Sequence, residues 1–115
     1  MAVISITTTI LVIKPNGDLV SKPHQLPRDP GYDALRALVL PHLAPGGMER
    51  VAVLYAGNPC DMFVDDEGLI KRLPFNRVAT GIYRANSMRH DPKQNPDDLP
   101  FIAGVAVLFD RKVWF

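Results

Sequence analysis

The chain has 115 residues, 47% of them hydrophobic, with a net charge of +1 and a single cysteine. That length suits one α+β domain over residues 1–115 whose core needs no disulfide or metal to hold it. The small net charge excludes bulk attraction to nucleic acid or an anionic membrane; one cysteine excludes an internal disulfide and fits a cytoplasmic setting.

The N-terminal run MAVISITTTILVIKP lacks a basic flank, and Thr7, Thr8 and Thr9 interrupt it. It is also shorter than the ~20 residues of a membrane-spanning helix, so neither a signal sequence nor a membrane anchor is expected. Its β-branched stretch Val3 to Ile13 reads as a long strand. Pro15-Asn16-Gly17-Asp18 signals a tight hairpin turn, and Asp18 to Gln25 returns as a second strand. Pro23 interrupts that strand, which should therefore either lie at a sheet edge or end there. Asp29-Pro30 predicts a helix start, with Asp29 as the cap and Tyr32, Leu35, Leu38, Val39 and Leu43 as its apolar stripe.

Two further strands are expected at Arg50 to Ala56 and Cys60 to Val64, separated by a Gly57-Asn58-Pro59 loop. An acidic turn, Asp65-Asp66-Glu67-Gly68, follows. Asn76 predicts the cap of a second helix over 76–88, held to the sheet by Val78, Ala79, Ile82, Tyr83 and Ala85. The polar, proline-rich stretch 90–100 reads as a loop, and PFIAGVAVLF as a central strand. Eleven prolines keep every element short. The order is β-β-α-β-β-α-β: a mainly antiparallel sheet with two helices on one face.

The segments Asp66-Glu67-Gly68, Leu73-Pro74-Phe75-Asn76 and Ile102-Ala103-Gly104-Val105-Ala106-Val107-Leu108 together resemble a family of small proteins of unknown function found in phages, plasmids and bacterial genomes (domain of unknown function 3846). The resemblance implies this fold and a mobile-element accessory protein. It carries no catalytic residues.

Chemistry-bearing residues are few. Lys71, Arg72, Arg77, Arg84, Arg89 and Lys93 form a basic cluster interrupted only by Asp91. Arg77 and Arg84 lie two helical turns apart, and the helix start at Asn76 offers backbone donors, so this face suits an anion. Arg72, Asn76, Arg77, Tyr83, Arg84 and Arg89 are the candidate ligand residues. The competing reading has the arginines solvated and paired with Asp65, Asp66 and Glu67.

Cys60 lies beside Asp61, which disfavours a thiolate, and reads as an apolar filler rather than a nucleophile. His24, His42 and His90 lack metal-ligand spacing, and no phosphate loop, dinucleotide fingerprint or nucleophile elbow is present, so no metal or cofactor is expected. Val113, Trp114 and Phe115 should either pack back on the core or form a homodimer contact. These features point to a non-enzymatic protein that binds a protein partner or a small anionic ligand. A nucleic-acid or nucleotide binder, with Tyr83 stacking and the arginines on phosphate, is the alternative.

Overall fold

β-branched residues fill β1, Ser5–Ile13, in a computed structural model that describes residues 4–115; Val3, included in the expected strand, lies outside the described residues. The chain turns through Pro15-Asn16-Gly17, where Gly17 takes φ 94° and donates to the Lys14 carbonyl, and runs back as β2, Leu19–Pro27. Asn16 keeps an ordinary negative φ, so glycine alone supplies the left-handed step. Thr9, paired with Pro23, directs both backbone groups to Asp110 at 3.1 Å each. The missing proline N–H therefore falls on the open edge of the sheet, where it costs no ladder bond.

The first helix, α1, spans Tyr32–Val39 and starts later than Asp29-Pro30 implies. Asp29 accepts a hydrogen bond from the Gly31 N–H in a local turn, and Gly31, at φ 83°, becomes the cap. Pro41 turns the chain into a short 3-10 segment, Leu40–His42. The strands β3, Met48–Tyr55, and β4, Asn58–Asp65, meet at a two-residue turn. Ala56 and Gly57 there both take positive φ, the geometry of a tight twisted hairpin, so β4 begins two residues before the expected Cys60.

The second helix, α2, is Arg77–His90, and β5 is only Ala106–Phe109. The apolar run 100–109 breaks at Gly104, where φ is 85° and the N–H bonds to the Pro74 carbonyl at 2.7 Å. Its first part pairs instead with the chain entering α2, through Phe75 opposite Ala103 and the Asn76 N–H on the Ile102 carbonyl.

The sheet is fully antiparallel in the order β2-β1-β5-β4-β3. The α+β class and element order are as expected, but the two helices do not share a face. Leu35 and Val39 of α1 pack with Ile10, Phe63, Val107 and Phe109. Ala79, Ile82 and Tyr83 of α2 pack with Ile13, Met62, Val64, Ala106 and Leu108. Neighbouring strand residues point to opposite faces, so Met62 and Phe63 belong to different cores and the helices cover the sheet from both sides. This explains why β4 is buried without a break from Cys60 to Asp65, the Asp61 and Asp65 carboxylates included.

Candidate functional site

Asn76 was expected to help hold a ligand, and its position shows a structural role instead. The side chain is fully buried. Its Oδ1 accepts from the Ala79 N–H at 3.0 Å, capping α2, while Nδ2 donates to the carbonyls of Ile13 at 2.9 Å and Gly104 at 2.8 Å. One amide thus joins a helix start, the end of β1 and the bend before β5, and none of its hydrogens is left for a ligand.

The other five expected ligand residues diverge. Arg72 is exposed and sits at a positive φ of 56° in the turn after β4. Arg77 and Arg89 are exposed at opposite ends of α2, about 18 Å apart at 1.5 Å per residue. Arg84 is half-buried, with Nη2 donating to the Leu99 carbonyl at 3.3 Å and Nε buried without a hydrogen-bond partner. Tyr83 turns toward the sheet. Val78, expected to anchor the helix, is 37% exposed; Thr80 takes that place, its hydroxyl accepting from the Ile102 N–H at 2.9 Å.

The expected pairing of the arginines with the acidic turn is also absent among the described residues. Their two ion pairs are Arg50–Asp61 at 3.8 Å and Lys71–Asp65 at 3.0 Å. Lys71 bridges the buried Asp65 carboxylate to the Pro45 carbonyl at 2.7 Å, fastening the acidic turn to the loop before β3.

A concavity of about 300 Å³ lies on the α2 face. Val51, Val64, Ile102 and Tyr83 give it apolar walls, and Glu49, Asp65, Asp66 and Glu67 set carboxylates around it. Leu69, Ile70 and Phe101 also line it and are 48%, 80% and 43% exposed, so they form an apolar rim outside the core. Phe101 meets exposed Phe75 edge to face, with centroids 5.4 Å apart. Sequence reading named Tyr83 and the acidic turn separately. It missed that the α2 register and the β3–β4 hairpin bring them to one cleft, and the adjacent apolar residues in Gly68-Leu69-Ile70 were the available signal.

Cys60 is buried in the α2-side core and donates to the Asn58 carbonyl at 3.3 Å. Burial pushes its thiol pKa up. A backbone hydrogen bond at Tyr55 opposes this, and the Asp110 and Asp61 carboxylates reinforce it. The group therefore stays protonated at neutral pH. In native protein its reaction with an aromatic disulfide reagent is expected to be at least roughly a hundredfold slower than in urea, because attack requires opening of the core. Equal rates in stopped-flow absorbance would overturn that assignment. Among the described residues no three His, Cys, Asp or Glu side chains gather as a metal would require.

The C-terminal residues follow the packing alternative. Val113 is buried in the α1-side core, and Trp114 lies edge to face on Tyr32 at 5.9 Å and tilted against Phe63 at 6.2 Å. Val113 is thus enclosed in the core, Trp114 is half-buried, and Phe115 is 64% exposed beneath the Arg28 guanidinium. No helix among the described residues is long and apolar enough to cross a membrane. No family model, curated protein or solved structure matches the chain, so the resemblance drawn on Asp66–Gly68, Leu73–Asn76 and Ile102–Leu108 rests on those short segments alone.

Proposed function

We propose that this chain is a non-enzymatic binding protein, a mobile-element accessory factor, that holds an apolar, Lys/Arg-bearing segment of a partner protein in the Tyr83 cleft. The supporting observation is the pairing of an apolar cavity and exposed Leu69, Ile70 and Phe101 with a carboxylate rim. Only Asp65 of those four carboxylates lies within ion-pair distance of a basic side chain among the described residues. An apolar side chain entering the cavity excludes water, and a flanking cation meets Glu49, Asp66 or Glu67, which fixes orientation and speeds encounter.

A second reading, an anionic or nucleotide ligand on the arginines, draws on one observation. Among the described residues, no carboxylate pairs with Arg72, Arg77 or Arg89.

One titration separates the two. Fluorescence-labelled Lys/Leu peptides are expected to bind with Tyr83 and Phe101 resonances shifting, and the Glu49→Gln, Glu67→Gln double variant to weaken them about tenfold. Arg77→Ala with Arg84→Ala should leave that affinity unchanged. Binding of Glu/Leu peptides or short oligonucleotides instead, lost on the arginine substitutions and falling steeply with salt, would favour the second reading.

A further inference from the structure

The α1 face of the sheet carries a second concavity, independent of the Tyr83 cleft. Leu35 and Val39 seat α1 over Phe63, Val107 and Phe109, toward β4 and β5. The outer half of this face, made by β1 and β2, projects past the helix. Val12 pairs with Val20, Ile10 with Lys22 and Thr8 with His24, so these side chains share that face. Between them and Ala37, Leu38, Pro41 and His42 lies a cavity of about 290 Å³. Ile10 and Val12, almost fully buried, form its apolar base, and Val20 is 51% exposed on its outer wall. Every ionisable residue lining it is basic: Lys22, His24 and His42.

We propose that this cavity binds a small anionic amphiphile, a monocarboxylate with an unbranched apolar tail of about six to ten carbons, tail on Ile10 and Val12 and carboxylate among Lys22, His24 and His42. The chemistry follows from the lining. An ammonium and two imidazoles supply donors for a carboxylate, with no carboxylate among the lining residues to repel it. The outer apolar walls, Val20 at 51% exposed and half-buried Leu38, reward a hydrocarbon tail in proportion to the area removed from water, while Ile10 and Val12, already buried, floor the site. The volume stands at the lower end of ligand sites, which favours a short single-tailed acid over a nucleotide.

The test is calorimetry and methyl NMR on the intact chain with three probes of one tail length: octanoate, octanol and octylamine. Octanoate is expected to saturate a single site and shift the Ile10, Val12 and Leu38 methyls. Octanol should bind at least tenfold more weakly, and octylamine not at all. Lys22→Gln with His42→Gln should weaken octanoate about tenfold while leaving the octanol affinity and the unliganded methyl spectrum unchanged, which rules out misfolding as the cause. Ala37→Trp, placing an indole in the cavity, should abolish binding of both. Octanol binding as tightly as octanoate, no saturation, or shifts confined to the Tyr83 cleft would each overturn the assignment. None of these outcomes bears on peptide binding at that cleft, so the two sites stand or fall separately.

Discussion

Replacing Asn76 by alanine is expected to remove about 3–5 kcal/mol of folding stability, as much as truncating a buried aromatic side chain of the core. The substitution strips the Nδ2 donors from the Ile13 and Gly104 carbonyls in a fully buried position, and a buried carbonyl left without a partner costs ~1–3 kcal/mol. It also removes the cap on α2, worth ~1 kcal/mol. Urea titration followed by circular dichroism measures the sum. Asn76→Asp sharpens the test, because it keeps the cap acceptor and its size but turns a carboxylate oxygen toward two carbonyls. Its loss should equal or exceed that of alanine. An aspartate variant within ~1 kcal/mol of the parent protein would mean that the cap alone matters and that the two carbonyl bonds do not.

Asp61→Ala should produce the second large effect, a loss of about 2–4 kcal/mol together with release of the C-terminal segment. Asp61 is fully buried, and its Oδ2 accepts from the Val113 and Trp114 N–H groups at 2.9 Å each. Alanine leaves both donors unpaired and opens a cavity beneath Val113. The loss is partly offset because the substitution also removes Oδ1, a buried oxygen with no hydrogen bond and only Arg50 Nε at 3.8 Å. Trp114 reports the outcome: its emission should shift to the red as it leaves Tyr32 and Phe63. Arg111, whose guanidinium donates to Thr8 Oγ1 and to the carbonyls of Pro27, Arg28 and Lys112, anchors the same segment from the β2 side. Asp61→Asn keeps an acceptor oxygen and should lose only ~1 kcal/mol. Unchanged emission in Asp61→Ala would show that Arg111 and the aromatic contacts suffice.

Both residues illustrate how far local reading reaches. The Asn76 cap was legible because capping is decided within four residues of chain. Its two carbonyl partners, 63 and 28 positions away, were not, and with them went the inference that Asn76 was available to a ligand. Asp61 read only as a neighbour unfavourable to the Cys60 thiolate, since nothing near it in the chain indicates that a segment some fifty residues later returns to it.

The sequence by itself determined the element types and their order, because hydrophobic period, turn residues and caps act over a few residues. It narrowed β2 to an edge strand or one ending at Pro23, between which the structure chose the edge, and it determined the late start of α2 through Asn76. Tertiary structure alone decided that α1 and α2 take opposite faces. Period-two alternation says which residues share a face, but not which helix covers it when β4 and β5 are buried on both sides. It also decided that residues 100–109 form two pieces, since Gly104 bends only once Pro74 is there to accept its hydrogen bond. Last, it turned the function question from charge to shape. Of the arginines of Leu73–Arg84, Arg77 stays exposed while Arg84 is half-buried on the Leu99 carbonyl, and Tyr83 joins an acidic, apolar cleft whose other walls come from β3, β4 and the chain before β5. Such convergence depends on long-range packing, which no short stretch of sequence encodes.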